Sequence, residues 1–370
     1  MLDIIEILIV FIGLAVTPLL FYRFPGIAKP RNTDDSETLS VIIPARNEAN
    51  NLPLLLEDLR TQSAKPFEII CIDDDSSDTT AEIAALKGAR VISLHHKPDG
   101  WIGKTWACQN GANAARGDLL LFLDADVRLA NNAIQRLMRT YSEQGCTISV
   151  QPYHKTQTWY EQCSILPCLV QIAANGTTLP KPMGIGLHGP VILVSRSDYN
   201  KIKGHESVKN SIVDDLALGK RLRASGIPYR LYVGDSDISY RMYSGGIRSL
   251  FQGWTKNMLS GAANTPPPLL WMMFFWITSM TSVPVHAAVF AASGNLPWLI
   301  LYSMLYIVWA AVLYVLSKQA GCFRILPIVL YPLLIIVFFV IFSASIVKGV
   351  FGLKVIWKGR VVRGGNRSCK

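Results

Sequence analysis

Three stretches near the carboxyl end, residues 269–292, 297–317 and 326–347, contain no Asp, Glu, Lys or Arg. Each is long enough, as a helix, to span about 30 Å of hydrocarbon. Helices that are apolar all round belong in a membrane or a very large core. A fourth run, DIIEILIVFIGLAVTPLL at residues 3–20, is apolar except for two early acids. A cleaved secretory signal would start basic and end at a small-residue site. Here the acids come first, and Arg23, Lys29 and Arg31 follow the run. That order fits an uncleaved anchor with the next domain in the cytoplasm; the plainer alternative is a buried amino-terminal helix. The chain is 50% hydrophobic and 17% charged, with a mean hydropathy of +0.29, which agrees with a partly membrane-embedded protein.

The loop at Gly294 and Asn295 is uncharged, whereas the next carries Lys318 and Arg324. Charge bias puts the first outside and the second inside. Three full crossings would then leave an acid-free tail outside, with Lys348, Lys354, Lys358, Arg360, Arg363, Arg367 and Lys370. An anionic cytoplasmic surface suits that tail better. We therefore expect two or three spanning segments, with one of the proline-containing stretches (Pro284, or Pro327 and Pro332) dipping into or lying on the membrane. The expected layout is an anchor at 1–21, a connector at 22–38, a catalytic domain at 39–263, a membrane region at 264–347 and a basic tail at 348–370. The net charge of +10 comes with no basic stripe interleaved with aromatics and no finger or helix-turn-helix pattern, so nucleic acid is not an expected partner. Seven scattered cysteines without a CxxC pair argue against a zinc site or a disulfide framework and fit a reducing compartment.

Between the apolar runs, strands alternate with helices. LSVIIP (39–44), FEIICI (67–72), residues 89–94 and LLLFL (119–123) read as strands. LPLLLEDLRTQ, TAEIAALKG and residues 105–116 read as the helices between them, with Asn50 or Asn51 and the SSDT run at 76–79 as capping groups. Near-continuous apolar strands in such an alternation call for a mostly parallel α/β sheet covered on both faces. Further strands are expected at 147–151, 190–195 and 229–233, and a helix at 214–225. SILPCLVQIA (164–173) reads as a short apolar helix, either buried or lying at a membrane surface.

Three acidic groups lie along this block: Asp73-Asp74-Asp75, Asp124-Ala125-Asp126 and Asp214-Asp215. A lone Asp in a loop is usually a solvated turn former. Two of these groups, however, follow strands whose carboxyl ends a parallel sheet gathers along one edge, where ligands bind. The first can accept hydrogen bonds from a ribose or base. The second can offer carboxylates to Mg²⁺ or Mn²⁺, cations that share oxygen ligands with phosphate. The third opens a helix, where an anion is favoured and a general base is well placed; an ordinary helix cap is the alternative. Lys104, Arg241 and Lys256 are candidate phosphate partners, although Lys104 could equally face solvent. Trp254 could lay its ring on a sugar or lipid, or simply mark a membrane interface. There is no GxGxxG and no GxxxxGK[ST], so dinucleotide and P-loop sites are not supported.

The segments SVIIPARNEANNLPLLL, CIDDDSSDTTA, GWIGKTWACQNGANAARGDLLLFLDADV and VDDLAL cover most of residues 39–220. In them the chain resembles the family 2 inverting glycosyltransferases. SVQPYH, GHESVKN, YRMY, QGWTKNMLSGA and VIWKGR extend the likeness to the bacterial branch that works on carotenoid acids. The resemblance implies a GT-A fold, a Rossmann-like sheet, with amino- and carboxyl-terminal transmembrane helices. It implies a divalent metal, a UDP-sugar such as UDP-glucose as donor, and a membrane-borne carotenoid or other isoprenoid acceptor arriving from the bilayer. It implies a multi-pass protein of the cell membrane with a cytoplasmic catalytic domain. Position by position, it puts Pro44, Arg46, Glu48 and Asp74 on the nucleotide side and Asp126, with Asp124, on the metal. It puts the catalytic acid at Asp215, with Asp214 the alternative. The processive signature Gln-x-x-Arg-Trp is not intact, because Gly253 precedes Trp254. Transfer to a glycerolipid, ceramide-like, hopanoid or polyprenyl phosphate acceptor is the second reading. A polysaccharide synthase and a non-enzymatic membrane scaffold follow it.

Overall fold

The structure is a computed structural model that describes residues 2–30, 37–211, 213–351, 355–357 and 360–362. In chain order its first elements are α1 (Leu2–Leu20), β1 (Leu39–Ala45), α2 (Leu52–Arg60), β2 (Glu68–Asp73), α3 (Thr80–Leu86), β3 (Arg90–Ser93), α4 (Gly103–Ala114) and β4 (Leu119–Leu123). Then come β5 (Val127–Leu129), α5 (Ala133–Gln144), β6 (Thr147–Gln151), β7 (Tyr153–His154), α6 (Ile165–Ala174), β8 (Val191–Ser195), α7 (Arg196–Lys201) and α8 (Asp214–Ala224). After β9 (Tyr229–Val233) and β10 (Ile238–Tyr240) the chain becomes helical: α9 (Ile247–Asn264), α10 (Pro267–Ser293), α11 (Leu296–Ala320), α12 (Ile325–Val329) and α13 (Tyr331–Val350). Strands β11 (Val355–Trp357) and β12 (Arg360–Val362) pair antiparallel. Lys354, Lys358, Arg363, Arg367 and Lys370 of the basic tail, and residues 31–36 of the connector, lie outside the described residues.

Two units can be separated. Of the described residues, an α/β unit takes those within 25–154, 184–242 and 355–362, and an apolar helical unit takes those within 2–24, 155–183 and 243–351. Among the described residues, the main sheet of the α/β unit has the order β3-β2-β1-β4-β8-β6-β9. The pairs β3–β2, β2–β1, β1–β4 and β6–β9 are parallel. Strand β8 runs antiparallel to β4 and β6, so the sheet is mostly rather than wholly parallel. Alternation along each strand builds two cores. Val41, Ile43, Leu119 and Leu121 meet the leucines of α2 and Ile134 and Leu137 of α5. Ile42, Ile72, Leu120 and Phe122 meet Ala107 and Cys108 of α4 and Leu218 and Leu222 of α8. Emptying such a site, as in Leu121→Ala, costs about 2–5 kcal/mol.

Helix α3 starts behind Asp78, whose carboxylate accepts from the Thr80 N–H at 3.1 Å. At α2 the expected cap works differently. Asn51 stands at the amino end, but its amide donates to Glu48 Oε2 at 2.8 Å. A small second sheet, β5-β10-β7, was not expected from the sequence.

In the apolar unit, α10, α11 and residues 331–349 of α13 are long and apolar enough to cross a membrane. Together with α1 they fit membrane helices. Helix α10 runs through Pro284, whereas the third stretch breaks at Leu330, between α12 and α13. Helix α1 lies on α10, where the Ser279 hydroxyl donates to Val10 O at 2.9 Å and Glu6 meets His286 Nε2 at 2.5 Å. Helix α6, for which two placements were open, is buried within this unit through Ile165, Leu166, Leu169 and Ile172.

Candidate active site

The pairing of β1, β2 and β4 delivers their carboxyl ends to one edge of the sheet. Because β8 is antiparallel, its amino end joins them: Val191 pairs with Leu123, and the Asp124 N–H donates to Pro190 O at 3.0 Å. After β2 the chain turns sharply, with Asp75 at φ +55 and the Asp74 N–H bonded to Ala45 O at 2.9 Å. Asp74 is buried and Asp75 is half exposed. Arg46 braces this turn. Its guanidinium donates to the carbonyls of Asp74 and Asp75 and stands 3.6 Å from the Asp75 carboxylate. Glu48 and Pro44 complete the corner: the Glu48 N–H donates to Thr80 Oγ1 at 2.8 Å, and Pro44 pairs with Ile72.

Asp124 and Asp126 flank Ala125 just beyond β4. Lys104, in the first turn of α4, reaches Asp124 Oδ1 at 2.6 Å, so it is paired rather than solvent-facing alone. Burial works against its ammonium charge, but Asp124 and then Asp214 outweigh it and hold the Lys104 pKa well above its ordinary value. Arg241 arrives by strand register. Tyr240 of β10 pairs with Val127 of β5, and the next N–H, that of Arg241, points to Asp126 O at 3.4 Å.

Among the described residues, no three His, Cys, Asp or Glu side chains form a closed metal cage. The donor set is two strand-end carboxylates. That fits Mg²⁺ or Mn²⁺, which are commonly held by one or two carboxylates plus substrate phosphate. It does not fit a structural zinc site.

Asp214 and Asp215 form the first turn of α8. The Leu187 N–H donates to Asp215 O at 3.2 Å, tying the helix start to the loop before β8. Gly189 in that loop passes so close that an added Cβ would sit 2.8 Å from Asp215 Oδ2. Burial first, and then the charge of Asp214, push the Asp215 carboxyl up to about 7. On its other side Asp214 faces His205 Nε2 at 3.8 Å. Lys104 links the two acidic groups electrostatically, since both Asp124 and Asp214 act on it.

Trp254 and Lys256 lie on α9, in the apolar unit. The expectation of a Trp254 ring open to sugar or lipid is corrected. The ring is buried, its indole N–H donates to Ser164 Oγ at 3.1 Å, and Tyr243 packs edge-on at 5.7 Å. The same tyrosine explains the broken processive signature, because a Cβ at residue 253 would lie 2.0 Å from the Tyr243 ring. His205 and Gly189 are the neighbours of the acids that the sequence reading did not single out. A glycine before a histidine, in GHESVKN, was the available signal for the first.

The family model Glycosyl transferase family 2 matches residues 40–163. The 4,4'-diaponeurosporenoate glycosyltransferase of Staphylococcus haemolyticus (strain JCSC1435) is 34% identical over 344 residues, 90% of each chain. The enzyme of the same name from Staphylococcus aureus (strain USA300) is 31% identical over 359 residues, 95% of each. This chain belongs to glycosyltransferase family 2 and is a glycosyltransferase. Its fold is GT-A. A mannosyltransferase from Pyrobaculum calidifontis, solved in complex with GDP-Man and Mn2+, superposes with a TM-score of 0.59 at 15% identity, covering 96% of this chain and 100% of that one.

Proposed function

We propose that the protein is a membrane glycosyltransferase that moves glucose from UDP-glucose to a carotenoid carboxylate, with inversion at the anomeric carbon. The acceptor class follows from the end-to-end similarity to the diaponeurosporenoate enzymes. The observation that carries the chemistry is that one lysine joins the two acidic groups, with Lys104 bonded to Asp124 and under the charge of Asp214. Asp74, with the turn that Arg46 braces, receives the nucleoside. Asp124 and Asp126 would hold a divalent cation, which when bound offsets charge on the departing diphosphate. Lys104 and Arg241 add positive charge on the same side.

The acceptor oxygen forms its bond to the anomeric carbon as the bond from that carbon to the phosphate oxygen breaks. The bonding pair leaves with UDP, and no covalent sugar–enzyme intermediate is required. With an alcohol acceptor, Asp215 takes the proton. A carboxylic acid acceptor is already ionised near pH 7 and has no proton to give, so Asp215 then only orients it. The basic residues Arg23 and Lys29 after α1 support a cytoplasmic location for the α/β unit.

The test is purified protein in detergent with a panel of UDP-sugars and GDP-mannose against carotenoid acids, glycerolipids, a ceramide and polyprenyl phosphate, read by product mass. A glucosyl ester of the carotenoid acid is the expected product. Transfer to a glycerolipid, ceramide or polyprenyl phosphate alone would replace the acceptor assignment, and transfer from GDP-mannose alone would replace the donor.

A further inference from the structure

His205 has no role in the chemistry above, yet it is built into place. After α7 the chain makes two left-handed steps, Lys203 at φ +58 and Gly204 at φ +49. No side chain fits at residue 204, because a Cβ would lie 2.2 Å from Cε1 of the Tyr199 ring. Strained turns of this kind persist only where the surroundings impose them. The turn folds His205 back over Tyr199. Both rings are almost completely buried and both pack on Phe122, with centroids at 5.4 Å for Tyr199 and 5.1 Å for His205. Phe122, on β4, stands two residues before Asp124.

The hydrogen bonds orient the imidazole. Tyr199 Oη is 2.8 Å from His205 Nδ1 and also accepts from the His205 backbone N–H at 3.1 Å. The other partner of that hydroxyl, Gln109 Oε1, is 3.3 Å away and already accepts from the Glu206 N–H at 2.9 Å. The Asp214 carboxylate decides the tautomer: facing Nε2, it favours the ring hydrogen there, so that Nδ1 accepts from the Tyr199 hydroxyl, which lies between Nδ1 and the acceptor Gln109 Oε1. Nε2 faces Asp214 Oδ2 at 3.8 Å. This is longer than a hydrogen bond, but such bonds are often long in ligand-free sites and tighten in the substrate complex. The charged groups that face the imidazole are Asp214 from α8 and Lys104 from α4; Cys108 and Asp214 act on the Tyr199 hydroxyl. A histidine that only filled the core would carry a desolvation cost that leucine avoids.

We propose that His205, oriented by Tyr199, is a positioning residue that aims its Nε2–H at Asp214 and so fixes the carboxylate pair Asp214–Asp215 for transfer. The inference rests on the glycosyl-transfer reading of that pair. Burial pulls the His205 pKa down to about 4, so the ring is a neutral donor at pH 7.

Three variants test it. Tyr199→Phe removes only the hydroxyl, His205→Gln keeps an N–H near the Nε2 position, and His205→Asn keeps one near Nδ1 only. Each is purified in detergent and measured for kcat, KM for donor and acceptor, pH profile, UDP binding by calorimetry and melting temperature. His205→Asn and Tyr199→Phe should lower kcat about tenfold and, with an alcohol acceptor, displace the acid limb of the pH profile. UDP affinity should stay within about twofold, and His205→Gln should recover most of the turnover. Full kcat in both His205→Asn and Tyr199→Phe would overturn the proposal. So would an equal loss in the Asn and Gln variants that tracked their melting temperatures, since that is the signature of packing alone. A wild-type protein that binds UDP but transfers sugar to no acceptor would sink the underlying reading instead.

Discussion

Replacing Asp215 by Asn separates its two proposed roles, proton acceptor and orienting group. The carboxyl is pushed from 3.8 to about 7 by burial and by Asp214. That is about 3 pH units, or about 4 kcal/mol between its two protonation states. At pH 7 it is half ionised, so with an alcohol acceptor kcat/KM should rise about tenfold per pH unit up to neutrality and then level off. Asp215→Asn should remove that limb and lower kcat by about 10²–10⁴. With the matching carboxylic acid acceptor the limb should be absent, and the loss should be only about tenfold. Stability should move in the opposite sense. A carboxyl whose pKa is raised on folding holds its proton in the folded state between about pH 4 and 7, while the unfolded chain has lost it. Stability therefore falls as pH rises through that window, and Asp215→Asn removes the penalty. Because the side chain keeps part of its water, we expect a gain of only about 1–2 kcal/mol above pH 7. UDP release with paired alcohol and acid acceptors, together with thermal melts in detergent, measures both. A wild-type profile with the alcohol acceptor that is flat from pH 5.5 to 8, or an Asn variant with undiminished turnover on it, would refute the base assignment.

Chelation should abolish transfer, with Mg²⁺ or Mn²⁺ restoring it, and Asp126→Asn should lose most of kcat while the melting temperature holds; full activity in excess chelator would contradict the site. Gly189→Ala should lower kcat severalfold without changing UDP affinity in calorimetry, because the methyl would stand 2.8 Å from Asp215 Oδ2. Burial pulls His205 down to about 4 and His188 down to about 3. The unfolded chain then binds the extra protons below about pH 6.5, so stability should fall as pH drops from there toward 4. His205→Gln should flatten part of that slope in melts across pH.

Much of the sheet was legible because its strands advertise themselves. LSVIIP and LLLFL are apolar on both faces, and only a strand covered on both sides buries such a run. The carboxyl ends of β1, β2 and β4 follow from parallel pairing, and with them Asp74, Asp124 and Asp126. The direction of β8 did not follow, because VILVS is equally apolar whichever way it runs. Helix α5 was passed over although Ile134, Leu137 and Met138 repeat at helical spacing and are buried in the core. The allegiance of residues 155–183 was not readable either. SILPCLVQIA looks the same against a sheet, a lipid surface or other helices, and only long-range packing decides.

The site was legible where chemistry follows local sequence and opaque where it follows register or a distant hydrogen bond. An Asp pair opening a helix can be read from DDLALGKRL, but the pairing of Lys104 with Asp124 depends on how α4 lies across β1 and β2, beside β4. Arg241 stands beside Asp126 only because three residues of β10 pair with three of β5. From sequence, Trp254 admits two readings, a ring laid on a sugar or lipid and a tryptophan that marks a membrane interface. Its N–H instead meets the hydroxyl of Ser164, 90 residues earlier. His205 shows the same limit from the other side. Its burial and its aim at Asp214 are set by Tyr199 and Phe122, drawn from two different elements. Its sequence neighbours reveal only the left-handed turn that makes the arrangement possible.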